Sequence, residues 1–198
     1  SAVQKDPKTY EHIDPEEVGN TRNIVVSDQS GKSNIISRLK SIQIDIKEND
    51  PKIKKLLDEV KDREFIGYSY DGADASFELL ARRIIGEIPR YILINEYDVS
   101  VKKNKSGEIV SSAKAHLEVD GEKIICEGEG NGPVNALDNA IRQNVDRLAK
   151  YSKYLKDLKL VDYKVRILNT GTEAVTRVSI ESTDSKGKNW FTIGVSTN

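Results

Sequence analysis

The sequence predicts an α+β protein in which a small helical linker subdomain precedes a domain of two βββα repeats, the second without its final helix. Between residues 33 and 90, apolar residues recur at the spacing of one helix face. After Pro89 the apolar period falls to two, which is typical of strands. The strand-rich segment also returns further along the chain, and such repetition indicates two copies of one structural unit. The matching pairs are Tyr97 and Tyr163, Gly121 and Gly187, and Gly128 and Gly194.

Composition narrows the classes of function. The 31 Lys and Arg residues nearly balance the 32 Asp and Glu residues, so the chain offers no overall attraction to nucleic acid or anionic lipid. No apolar run approaches the roughly 18 residues of a membrane span. The first residues also lack the basic-then-apolar pattern of a signal peptide. We therefore expect a cytoplasmic protein with no nucleic-acid and no membrane partner.

Few side chains are suited to catalysis or metal binding. Cys126 is the single cysteine, which excludes an internal disulfide, and its alternating surroundings favour a buried small hydrophobic residue. His12 and His116 are the two histidines, too few for a histidine-based metal site. We expect His12 to have a packing role and His116 to lie on the exposed face of its strand, between the inward-facing Ala115 and Leu117. We predict no catalytic residue and no metal site in this chain.

Residues 1–32 are predicted to form an extended linker segment. Pro7, Pro15, Gly19 and Gly31 interrupt any regular pattern there. The short run NIVVS, residues 23–27, is the part of this segment that indicates a strand.

Residues 33–90 are predicted to form a helical linker subdomain of three helices. The first follows Ser33 as its cap. The second follows Asp50, a capping residue, and Pro51, which a first helical turn tolerates well. The third begins with Asp71 or Asp74 as its cap.

Residues 91–198 are predicted to contain the two repeats, 91–158 and 159–198. In the first, short strands alternate around the turn sequences NKSGE and DGEK, and a long helix follows a glycine-rich loop. The second copy reaches Asn198 where its own helix is expected to begin. The inner face of the helix in the first repeat is predicted to contain Val134, Leu137, Ile141, Val145 and Leu148.

The glycine-rich loop, GEGNGP at residues 128–133, is the strongest candidate for a binding site. Loops before helices often bind phosphate, but a dinucleotide loop needs glycine where Pro133 stands, and a Walker loop needs Gly-Lys-Ser/Thr. Two interpretations stay open. The loops of both repeats converge on a small-molecule site at an internal or subunit interface, or the glycines merely let the chain turn from strand into helix.

Several stretches resemble the C-terminal region of the 2-isopropylmalate synthase and citramalate synthase family. The most specific are TYEHIDPEEVGN at 9–20, ADASFELL at 73–80 and GNGPVNAL at 130–137, and LVDYKVRIL at 160–168 adds to them. The resemblance covers essentially the whole chain. The stretch SDQSGKSN, residues 27–34, stands where isopropylmalate synthases usually carry a KHSGR-like motif, and this departure favours the citramalate branch.

The resemblance implies a parent enzyme whose N-terminal (β/α)8 barrel condenses acetyl-CoA with a 2-oxo acid, which is pyruvate in the citramalate branch. The divalent metal, acetyl-CoA and the catalytic residues would all lie in that barrel, so no cofactor is expected in this segment. The C-terminal βββα domain would bind the end-product amino acid near a homodimer interface. That effector would be isoleucine for a citramalate synthase and leucine for an isopropylmalate synthase.

Together, the resemblance and the glycine-rich loops predict an amino-acid effector site. Loop N–H groups and the following helix N-terminus would meet the ligand carboxylate. Loop carbonyls and Asn131 would meet its ammonium, and apolar strand residues would surround its branched side chain. The predicted effector residues are Gly128, Gly130, Asn131, Gly132, Pro133, Ala113, Ala115, Ile125, Gly194, Ser196, Thr197 and Asn198.

Two other classes of protein stay open at this point. The first is a free-standing amino-acid-binding module, which an upstream barrel with a His-x-His motif in the same reading frame would exclude. The second is a nucleic-acid-binding α+β protein, since strand–strand–helix units can bind RNA. The balanced charge and the lack of paired aromatic residues on a central strand disfavour the second class.

We predict that this chain alone has no synthase activity, because the resemblance places the catalytic barrel outside it and the chain has only 2 histidines. Incubation of the purified chain with acetyl-CoA and pyruvate should release no CoA above a protein-free blank in a thiol assay. Pyruvate-dependent release of CoA by the chain would contradict this prediction.

Overall fold

The computed structural model describes residues 17, 31–144, 146, 151–169 and 174–197. Three helices come first: α1 (Lys32–Ser41), α2 (Pro51–Phe65) and α3 (Asp74–Ile85). A sheet and two helices follow: β1 (Ile92–Lys103), β2 (Ile109–Val119), β3 (Glu122–Gly130), α4 (Pro133–Gln143) and α5 (Ser152–Asp157). The last elements are β4 (Lys159–Ile167), β5 (Thr176–Thr183) and β6 (Asn189–Ser196). The predicted α+β fold, with helices before two three-stranded repeats, is confirmed.

Two compact units divide the chain. The first contains residues up to Ile88 together with 160–182 and 189–198, and the second contains 89–159 together with 183–188. The sequence-based boundaries at 32, 90 and 158 stay predictions. The strand predicted at 23–27 and His12 lie outside the described residues.

Helices α1 to α3 form the core of the first unit. Asp50 caps α2 as predicted, since its Oδ1 accepts a hydrogen bond from Lys52 N at 2.9 Å. Neither Ser33 nor an aspartate caps the other two helices: Gly31 and Ala73 occupy their N-cap positions. The buried core residues of α1 to α3 include Ile35, Leu39, Ile53, Leu56, Val60, Phe77, Leu80 and Ala81.

Asp74 has a different role from the predicted cap. It is the first residue of α3, and its carboxylate pairs with the guanidinium of the buried Arg38. That guanidinium also lies over the Phe77 ring, 5.6 Å from its centroid. Burial lowers the pKa of Arg38, against the opposing effect of the nearby Asp71 carboxylate. Asp74 and Asp71 therefore compensate the charge of the buried Arg38. Local sequence does not reveal that this arginine is buried.

The second unit is built on sheet one, in which β2 lies between its antiparallel neighbours β1 and β3. One face of β2 is buried at every second residue, as predicted. Cys126 is buried on this face, which confirms its expected role, whereas His116 points to the other face and is half-buried. The core of this unit contains Ala113, Ala115, Leu117, Val119, Ile124, Cys126, Ala136 and Ala140.

Helix α4 covers sheet one with part of the predicted face, since Leu137 and Ile141 pack partly buried against the core of this unit. Its fully buried residues are Ala136 and Ala140, whereas Val134 is 55% exposed. The helix also ends at Gln143, and Val145 and Leu148 lie outside the described residues. The apolar spacing missed Ala136 and Ala140, which are small enough to lie at the closest approach of the helix to the sheet.

Sheet two has the order β4-β5-β6. Most of it belongs to the first unit, where β6 contacts helix α3. Within the described ranges, none of the helices is long and apolar enough to cross a membrane.

Candidate functional site

The glycine-rich loop joins the end of β3 to the start of α4. Gly132 is the N-cap residue, with an extended backbone at φ −166° and ψ 169°, and Pro133 follows in the first helical turn. The Gly132 carbonyl accepts the first helical hydrogen bond, from Ala136 N at 2.8 Å. Because no side chain caps this helix, its first N–H groups have no side-chain acceptor at the N-cap.

Gly128 and Gly130 allow the helix backbone to lie against the strand backbone. A Cβ atom on Gly128 would lie 2.7 Å from Ala140 Cα, and one on Gly130 would lie 2.6 Å from Ala136 N. Both distances are too short for real contacts, and the atoms met belong to the backbone. Neither glycine has a positive φ, so close approach rather than a left-handed conformation requires glycine at these two positions. For these two residues the structure supports the packing interpretation.

Gly132 and Gly194 differ from that pair. A Cβ atom on either would have nothing within 4 Å. Gly132 precedes the helix, and Gly194 lies in β6 at the position that corresponds to Gly128. These two glycines leave open space beside the backbone, which a ligand needs for close approach.

Two asparagines of α4, which the sequence-based prediction missed, fix the loop to the helix. Asn135 Oδ1 accepts a hydrogen bond from Asn131 N at 3.1 Å, and Asn139 Nδ2 donates to Glu129 O at 2.8 Å. Asparagine is a poor residue inside a helix unless its side chain has a local partner. That low propensity was the signal that could have identified these two residues.

The predicted apolar residues do not come together. Ala113 and Ala115 lie buried beneath α4, opposite Gly128 and Cys126 of β3. Ile125 pairs with His116 on the other face of the sheet and is 45% exposed. A branched ligand side chain in sheet one therefore cannot contact Ile125 and the two alanines at once.

The second predicted loop lies in the first unit. Gly194 and Ser196 belong to β6, Thr197 follows them, and Asn198 lies outside the described residues. Because this loop and the loop at 128–133 belong to different compact units, their convergence stays a prediction.

A polar cavity of about 560 Å³ adjoins the first loop. It is lined by Ala113 and Gly128 of the predicted site and by charged residues on the sheet face away from α4. Lys114 lies between Asp98 of β1 and Glu127 of β3 in the strand register, and its Nζ is 3.0 Å from Glu127 Oε1. The cavity thus offers both an ammonium group and carboxylates, which suits a zwitterion.

A second, apolar cavity of about 650 Å³ lies at the start of β1. Its lining residues are Tyr91, Ile92, Tyr151, Tyr154 and Leu155. The rings of Tyr91 and Tyr151 meet edge to face with centroids 5.5 Å apart. The Tyr151 hydroxyl donates to Asp120 Oδ1 at 2.8 Å. This bond links the residue before α5 to the β2–β3 turn.

Each sheet also exposes apolar side chains along its first strand. On β1, Ile94, Tyr97 and Val101 pair with inward-facing residues of β2, yet all three are exposed because α4 covers mainly β2 and β3. On β4 the exposed alternating residues are Val161, Tyr163, Val165 and Ile167. We call these two sets the β1 strip and the β4 strip. Contiguous exposed apolar surface of this kind is typical of interaction sites.

Among the described residues, no group of three or more His, Cys, Asp or Glu side chains is placed to hold a metal ion.

Sequence comparison gives a consistent picture of similarity. Residues 71–198 match the family described as LeuA allosteric (dimerisation) domain, and residues 1–65 match the family described as homocitrate synthase post-HMGL domain-like.

Curated relatives align along the entire chain. It is 46% identical to the (R)-citramalate synthase of Aquifex aeolicus, 42% identical to that of Geobacter sulfurreducens and 41% identical to that of Streptomyces coelicolor. In each case the alignment covers 100% of this chain and 37% of the relative. The chain thus spans a little over a third of the length of these proteins.

We predict opposite effects for two glycine substitutions in the loop. Gly130→Ala should lower the free energy of unfolding by about 1–3 kcal/mol, because its methyl group would force α4 away from β3. Gly132→Ser should be neutral or stabilising by a few tenths of a kcal/mol, because serine is a favourable N-cap residue and the site is open. Urea unfolding of both variants would measure the difference, and equal destabilisation would contradict the packing role of Gly130.

Proposed function

Because this chain belongs to the family of LeuA allosteric (dimerisation) domains, we propose that it is the C-terminal regulatory region of a citramalate synthase. The observation that carries the proposal is the alignment of the entire chain, at 41–46% identity, with part of three bacterial (R)-citramalate synthases. The second family match, at residues 1–65, supports the same parent, because it precedes the allosteric domain directly.

The proposed parent enzyme condenses acetyl-CoA with pyruvate to form (R)-citramalate. In this proposal the condensation, with the acetyl-CoA and the divalent metal that it uses, belongs to a catalytic barrel outside this chain. The proposed role of the chain is to report the level of the pathway product, isoleucine, and to hold two subunits together in the cytoplasm.

For the effector we propose that the loop of residues 128–133 and the matching loop at 194–197 of the second repeat each contribute binding residues. Two features support this proposal. The N-terminus of α4 lacks a side-chain cap and favours a carboxylate. The adjoining polar cavity places the Lys114 ammonium beside the Asp98 and Glu127 carboxylates, so both charged groups of an amino acid have partners nearby.

We expect isoleucine to bind this chain and to give measurable heat in a calorimetric titration, with weaker binding of leucine and valine. The three ligands differ by single methyl groups or their position, which a pocket discriminates by about 1–3 kcal/mol. Lys114→Met should weaken isoleucine binding about tenfold or more, since it removes a charged partner. Lys105→Met, which changes an exposed lysine in the β1–β2 turn, is the matched control. Equal affinity of the two variants would exclude Lys114 from the site.

We also expect a homodimer that covers the β1 and β4 strips. Tyr97→Glu and Val101→Glu together should convert it to the 22.1 kDa monomer, because charges in the β1 strip would be buried at the interface. Tyr154→Glu, at another exposed tyrosine on α5, serves as the control. Light scattering over a range of concentrations would measure the mass, and a dimer that survives the double substitution would show that the β1 strip is not the interface.

A further inference from the structure

We propose that helix α3 and the segment that leads into it form a coupling element. Through this element, ligand binding at β6 would change the helical core. We define the coupling segment as residues 67–76. The inference rests on the proposed function, because it assumes that the loop at 194–197 contributes to an effector site. It adds the route by which that site would influence the rest of the protein.

Helix α3 belongs to two structures at once. By sequence it lies in the match to the allosteric domain, which begins at residue 71, and the match to the preceding domain ends at residue 65. By packing, its residues Phe77, Leu80 and Ala81 are buried in the core that α1 and α2 complete. The coupling segment therefore begins between the two matched ranges. Helix α3 belongs to the second range by sequence and packs with the helices of the first.

A direct hydrogen bond joins α3 to the strand that leads into the predicted effector loop. Ser76 Oγ accepts from Ile193 N at 2.9 Å, and Ile193 immediately precedes Gly194. Because the donor is a backbone amide of β6, any change in the path of the strand changes this bond. A ligand at Gly194 would therefore act one residue away from it.

The segment between α2 and α3 also contacts sheet two. Arg177 of β5 donates from Nε to the Gly67 carbonyl at 2.6 Å. Burial lowers the pKa of Arg177, and the neighbouring Arg166 cation adds to this effect, so the guanidinium is placed here at some electrostatic cost. A partly buried cation directed at a single backbone carbonyl is a geometrically specific contact.

Gly67 allows the segment between α2 and α3 to lie close to sheet two. Its φ is +112°, and a Cβ atom there would lie 2.6 Å from Leu168 Cδ1 and 3.4 Å from Val195 Cγ1. Gly72, in the separate turn just before α3, has φ +71° and nothing within 4 Å of its Cβ position. The two glycines share a left-handed backbone, but only Gly67 faces sheet two.

Hydrogen–deuterium exchange of this chain, with and without isoleucine, tests the proposal. Isoleucine should slow exchange both in β6 and in the coupling segment. In the variant Ser76→Ala with Arg177→Met, the slowing should persist in β6 and fall by about two- to tenfold in the coupling segment, the range expected for a lost hydrogen bond. Ser33→Ala with Arg90→Met makes the same two changes at exposed positions and should behave as the unmodified chain.

Two results would overturn the coupling role: slowing confined to β6 in the unmodified chain, or undiminished slowing of the coupling segment in the variant. If isoleucine does not bind, that result refutes the proposed effector and leaves the coupling role to a second comparison, made without ligand. Gly67→Ala should then speed exchange of the Ile193 amide by about two- to tenfold, and Gly72→Ala should leave it unchanged. Equal effects of the two substitutions would remove the coupling role.

Discussion

The second unit depends on the contact between two backbones, that of helix α4 and that of strand β3. Gly128 and Gly130 on the strand face Ala140 and Ala136 on the helix, and no larger residue fits on the strand side. This contact places Pro133 and the start of the helix at the end of the sheet. The buried face of β2, the orientation of the glycine-rich loop and the uncovered β1 strip all follow from where the helix lies.

The same contact assigns different roles to glycines that look alike in the sequence. Gly128 and Gly130 are required for packing, whereas Gly132 and Gly194 stand beside open space. The two interpretations of the loop, hinge and binding site, are therefore compatible, because different residues would serve each. Asn135 and Asn139 then hold the loop against the first turns of the helix.

Local rules predicted much of the fold and less of the site. The cap at Asp50, the alternation along β2 and the burial of Cys126 follow from interactions between near neighbours, and the sequence is sufficient for them. The family resemblance is likewise confirmed by the matches to citramalate synthases and to the LeuA allosteric domain. The exposure of Val134 on α4 and the separation of Ile125 from Ala113 were not predictable, because helix position and strand face are set by partners distant in sequence.

The contact between α4 and β3 also limits how this unit can move. Long side chains at an interface can change rotamer and let a helix slide by small steps, but a glycine–alanine contact has no such freedom. A small shift of the helix away from the strand would therefore lose contacts that no side chain on the strand can replace. A displacement of the loop that keeps the contact intact must carry strand and helix together as a rigid body.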